Sequence, residues 1–78
     1  MTDLKELLIG IAKAIVDSPD AVTVVESVDG KRVNLTLSVA EDDMGMVIGK
    51  HGKIAKAIRS LMKTAAIADG KEVNVEIK

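Results

Sequence analysis

The segment that decides the fold is Gly45-Met46-Val47-Ile48-Gly49-Lys50-His51-Gly52-Lys53-Ile54-Ala55-Lys56-Ala57-Ile58-Arg59. Gly49 and Gly52, separated by two residues, interrupt what would otherwise be continuous helical periodicity. Glycine admits backbone angles closed to other residues, so the pair predicts a sharp turn that a ligand can approach closely. Upstream, a short helix is expected to begin near Met44 and to reach only Ile48, with Glu41, Asp42 and Asp43 capping it at the positive end of its dipole. Downstream, a longer helix starts near Gly52 and carries Ile54, Ile58, Leu61, Met62 and Ala65 on one face. Met44, Met46 and Met62 at apolar positions read as core or groove filler. Gly70 is the expected stop.

Outward from this centre the pattern alternates. Val73, Val75 and Ile77 interleave with Asn74 and Glu76, a strand with one buried face. On the other side, Val33, Leu35, Leu37 and Val39 alternate with Asn34, Thr36 and Ser38, a second such strand. It is joined to a β-branched run over Ala21–Val28 by Asp29-Gly30, expected to supply the positive φ angles of a two-residue hairpin turn. Leu4, Leu7, Leu8, Ile11, Ala12 and Ile15 recur at helical spacing over about 14 residues, and Ser18-Pro19-Asp20 ends that helix. Gly10 within it marks either a close helix contact or a tolerated small residue. The order is helix, strand, strand, helix, helix, strand. It predicts an α+β layer of three strands with helices packed on one face, forming one domain over residues 1–78.

Composition narrows the function. The 78 residues are 47% hydrophobic, enough for a core, yet contain no cysteine, phenylalanine, tyrosine or tryptophan. Disulfides and thiolate metal sites are therefore excluded, and base stacking on aromatic rings is not available. Met1-Thr2-Asp3-Leu4-Lys5-Glu6 lacks the basic flank and apolar run of a signal peptide, and no stretch has the length of a membrane span. A cytoplasmic protein is expected, which makes the sequon Asn34-Leu35-Thr36 a coincidence.

The net charge of −1 hides a strong asymmetry. Five of the eleven cations, and none of the twelve carboxylates, lie between Met44 and Ala68. Segregation of this kind points to a local anion site. Free amides at the start of the second helix favour a phosphate there, with Lys50, His51 and Lys53 as cationic donors beside them. Lys53, Lys56, Arg59 and Lys63 are three, three and four residues apart, along one helix face. The glycine spacing fits neither a phosphate-binding GxxxxGK[ST] loop nor GxGxxG. His51 is the only histidine, a poor start for a metal site. Ser60 lies two turns from it, so no catalytic constellation forms; an enzyme is not expected, and neither is a cofactor.

The run Val47-Ile48-Gly49-Lys50-His51-Gly52-Lys53, followed by Ile54 and Ile58, resembles the signature of KH domains, whose GxxG loop clamps about four nucleotides by their backbone. The α-β-β-α-α-β order is similar to the type II KH topology. The whole chain resembles the small bacterial single-KH RNA-binding proteins of the KhpA family. That resemblance implies single-stranded RNA held by the phosphates at Gly49, Lys50, His51 and Gly52, with Lys53, Lys56 and Arg59 continuing the basic surface. Bases would sit in an aliphatic groove drawing on Ile48, Ile54 and the second strand around Leu37 and Val39. It further implies a role as an RNA chaperone or post-transcriptional regulator, and self-association or pairing with a larger KH-containing partner of the Jag type. The alternative is a KH fold serving dimerisation, with little RNA affinity of its own.

Overall fold

The structure, a computed structural model, describes residues 3–78. Met1 and Thr2, the start of the segment read against a signal peptide, lie outside the described residues. The elements are α1 (Leu4–Ile15), β1 (Thr23–Asp29), β2 (Arg32–Ser38), α2 (Met44–Ile48), α3 (Lys53–Ala68) and β3 (Glu72–Ile77), in the expected α-β-β-α-α-β order.

Helix α1 begins at Asp3, whose carboxylate accepts from the Glu6 amide at 3.2 Å. It ends earlier than proline alone would require. Val16 turns into extended backbone (φ −87°, ψ 158°) and buries its side chain, while Pro19–Ala21 forms a separate 3-10 turn. That turn also delays the first strand, which starts at Thr23 rather than Ala21. Gly10 is exposed, and a Cβ added there meets nothing within 4 Å, so it is a tolerated small residue and not a helix contact. Gly10→Ala is therefore expected to stabilise the chain by roughly 0.5–1 kcal/mol, read as a higher midpoint in urea.

The sheet order is β1-β2-β3, with β1 antiparallel and β3 parallel to the central β2. Asp29 pairs with Arg32, so the hairpin loop is Gly30-Lys31 rather than Asp29-Gly30. Only Gly30 has positive φ (+61°), which fits the turn class that places glycine first. The parallel β2–β3 pairing needs a long crossover, and α2 and α3 provide it.

Val33, Leu35 and Leu37 of β2 point into the core, opposite Val24 of β1 and beside Val75 of β3. Helix α1 covers β1 and β2, while α3 lies over β3 and against α1. The centre of the core is Leu8, Leu35, Leu37, Val47 and Met62, all fully buried; each such side chain contributes roughly 1.5–3 kcal/mol of transfer free energy. Val47 is the only buried residue of α2, so one side chain pins the short helix that presents the glycine loop.

Helix α3 sits rotated from the expected face. Its buried residues are Ala55, Ile58, Met62 and Ala66, with Ala65 half-buried, whereas Ile54 and Leu61 are 37% and 51% exposed. The two apolar series overlap at Ile58 and Met62, and periodicity alone does not separate them. Packing against the sheet selects the series with small residues at both ends. The helix stops at Gly70 (φ +69°), with the Gly70 amide donating to Ile67 O and the Lys71 amide to Ala66 O. This paired reversal is a Schellman motif.

Candidate nucleic-acid interface

The loop between α2 and α3 is built by three consecutive devices. The Gly49 amide closes α2 on Gly45 O at 2.8 Å, and Gly49 then leaves the helix at φ 74°, ψ 174°. That region is essentially restricted to glycine. Lys50, His51 and Gly52 form a tight turn in which the Gly52 amide donates to Gly49 O at 3.2 Å. His51 (φ 58°, ψ 25°) and Gly52 (φ 72°, ψ 16°) are both left-handed. His51 is the only non-glycine residue with positive φ among the described residues.

The two glycines are not equivalent. A Cβ at Gly49 would lie 2.6 Å from Ile54 Cγ1, 2.8 Å from its Cβ and 2.9 Å from its Cδ1, whereas one at Gly52 meets nothing within 4 Å. Gly49 is required by a close approach as well as by its backbone angles; Gly52 is required by its angles alone.

Lys50 and His51 stand exposed at the tip, and no side chain caps the N-terminus of α3. The Lys53 amide is taken by Lys50 O in the turn, and the amides that follow it in the first turn of the helix have no partner within it, next to two cationic residues. Ile48 and Ile54, 40% and 37% exposed, flank the turn, and Met46 is 40% exposed beside them. Of the methionines read as core or groove filler, only Met62 is core. Among the described residues, none of Lys50, Lys53, Lys56 and Lys63 is paired with a carboxylate.

The acidic residues before α2 act differently from expectation. Asp43 makes no side-chain cap. Glu41–Asp43 already form a 3-10 turn running into α2, and the Asp43 side chain turns inward, 2% exposed. Its Oδ1 and Oδ2 accept from the amides of Asp17 and Ser18, at 3.3 and 3.0 Å. The carboxylate ties the segment after α1 to the root of the glycine-loop helix. The Asp42 side chain makes no cap either and remains exposed in the same turn.

A second correction concerns the groove wall. Leu37 is 0% exposed and cannot touch a base, and Val39 is half-buried beyond the end of β2. The strand beside α3 is β3. Arg59 Nε donates to Val75 O at 3.3 Å, anchoring the guanidinium over the edge strand. After the Gly70 reversal β3 runs back along α3, which directs the loop end of the helix toward Ile77. Ile77 is half-buried there, packed against the core, and Leu37 is withdrawn from any exposed groove wall. The reason is topological: β2 is the central strand, and its inward face is consumed by the core.

Residues 5–77 match the family described as KhpA/KhpB, KH domain. RNA-binding protein KhpA of Clostridium acetobutylicum is 53% identical over 74 residues, covering 95% of this chain and 99% of that protein. KhpA of Caldanaerobacter subterraneus is 54% identical over 72 residues, covering 92% and 96%. KhpA of Bacillus subtilis is 40% identical over 79 residues, covering 99% and 98%. Among solved structures, a variant of Aquifex aeolicus Era bound to GDP and aluminium fluoride superposes with a TM-score of 0.69 at 19% identity, covering 95% of this chain and 29% of that one. At that identity the likeness is one of fold, and this chain spans under a third of the Era chain.

Proposed function

Because the chain belongs to the KhpA/KhpB family of KH domains, we propose that it binds single-stranded RNA at the loop Gly49-Lys50-His51-Gly52. Phosphates lie against the loop and the start of α3, held by the exposed amides together with Lys50, His51 and Lys53. Bases lie on Ile48 and Ile54, with Lys56 and Arg59 along the β3 side. The observation that carries this reading is the conjunction of a helix start without a side-chain cap, a tight turn entered through the glycine-restricted backbone of Gly49, and cations without carboxylate partners at one point on the surface. Its relatives are named as RNA-binding proteins. Without aromatic rings, recognition depends on backbone and cations, so the binding is tolerant of sequence and suits an RNA chaperone or post-transcriptional regulator. Among the described residues no helix is long and apolar enough to cross a membrane.

If two to four phosphates are contacted, log K falls against log salt with a slope of roughly −1.4 to −2.8. Fluorescence anisotropy of a labelled single strand at several salt concentrations measures this. An affinity indifferent to salt removes the phosphate clamp.

A specific observation also favours self-association, or docking on a larger KH-containing partner. Ile54, Ala57, Leu61 and Ala68 form an exposed aliphatic flank of α3, opposite the flank that bears Arg59. Leu61→Asp is expected to convert a dimer to a monomer by light scattering, with stability changed by no more than ~0.5 kcal/mol because the site is exposed. A wild type that is monomeric at high micromolar concentration contradicts the dimer.

A further inference from the structure

We infer that a second RNA subsite lies at the far end of α3 from the glycine loop, in a pocket where Arg32, Lys63 and Lys71 converge over Ile67 and Val73, and that a strand held at the loop continues into it. This inference rests on the proposed RNA reading of the loop and extends its footprint.

The pocket opens between the last turns of α3 and the start of β3. It lies on the same flank of the helix as Arg59, because Arg59, Lys63 and Ile67 are spaced by one turn each and Arg59 is fixed over β3. Cations therefore recur along this side from Lys50 through Lys56, Arg59 and Lys63 to Lys71. The chain is acidic overall, so a basic path of this length is selective for a polyanion rather than a general surface property.

The chemistry inside the pocket suits a nucleotide better than a free anion. Three cations face one carboxylate, Glu72, which is already engaged by Arg32 at 3.6 Å. Ile67 is 65% exposed at the end of α3, an aliphatic platform for a base or ribose in a protein with no aromatic ring. Asn74, which also lines the pocket, carries an amide that both donates and accepts, as base edges and the 2′-hydroxyl do. Lys53 and Ile67 are separated by about 21 Å of helix at 1.5 Å per residue. A clamp of about four nucleotides centred on the loop covers only part of that distance along the helix, so a longer strand is needed to fill both.

The test is a titration of the full chain with oligouridylates of about five and ten nucleotides at ~0.15 M salt, followed by amide NMR shifts. Both lengths should shift Gly49 through Lys53. The longer should also shift Lys63, Ile67, Lys71 and Val73, and bind at least about tenfold more tightly, beyond the three- to fourfold that extra registers of a four-nucleotide clamp provide. The double variant Arg32→Gln, Lys71→Gln should lose that excess and leave the shorter strand unchanged within about twofold. Screening over ~8 Å at this salt isolates the loop from the change. Normal binding of the short strand with only the statistical gain for the long one overturns the second subsite and leaves the loop assignment intact. Equal weakening of both lengths by the variant also overturns it. If neither length shifts the loop amides, both assignments fall.

Discussion

Gly49→Ala is expected to destabilise the chain by about 2–4 kcal/mol, while Gly52→Ala costs only about 1–2 kcal/mol. The difference is local and physical. At Gly49 the backbone occupies φ 74°, ψ 174°, a region that costs other residues about 1–3 kcal/mol, and the new methyl would also stand 2.8 Å from Ile54 Cβ. The obstructing atom is next to the Ile54 backbone, so a change of rotamer does not clear it; the loop itself must shift. At Gly52 the conformation is left-handed helical, with open space where the methyl would go, and only the left-handed penalty of about 1–2 kcal/mol applies. A chain of this size holds roughly 4–12 kcal/mol in total, so the first variant approaches the limit of folding. Urea melts followed by circular dichroism are the suitable readout, because the chain has no aromatic residue to report by fluorescence. Equal costs at the two glycines contradict the geometry.

The second large effect is at Asp43. Asp43→Ala is expected to cost about 3 kcal/mol, since it leaves the amides of Asp17 and Ser18 without their charged acceptor; hydrogen bonds to charged groups are worth about 1.5–3 kcal/mol each, and the two are not additive. In a domain of 60–100 residues 1 kcal/mol corresponds to about 4–8 °C in Tm, so a fall of roughly 12–24 °C is expected. Asp43→Asn should recover part of the loss, because its single carbonyl oxygen accepts from one of the two amides. A capping role would predict a smaller loss, about 1 kcal/mol, of the kind seen on removing a helix cap. The size of the effect therefore separates the two roles.

These two residues mark where sequence reasoning stops. Periodicity showed the three helices and the strand faces, because burying one side of an element leaves a direct imprint on residue order. The break at Gly49-Lys50-His51-Gly52 was legible for the same reason: two glycines interrupt an otherwise helical pattern. Which glycine tolerates a side chain was not legible, since it depends on Ile54 folding back over Gly49. Asp43 looked like a cap because three carboxylates precede a helix; its partners lie 25 and 26 residues away, beyond any local signal. Leu37 was read as part of an exposed groove because its strand alternates like any half-buried one, and only the sheet order shows that β2 is central, with its inward face taken up by the core. Ile54 and Leu61 were placed on one face with Ile58 and Met62 for a related reason, as two overlapping apolar series share those two residues and packing buries the other series. Both residues instead stand on an exposed flank of α3.

The most direct test of the central claim is anisotropy of a labelled single-stranded RNA titrated with wild-type protein and with the double variant Lys50→Asp, His51→Asp. Both side chains are exposed and make no packing contact in the core, so the variant should retain its circular dichroism spectrum. The expected result is micromolar binding by the wild type and a loss of at least tenfold in the folded variant. Equal binding by both proteins would contradict the assignment of the glycine loop as the RNA site.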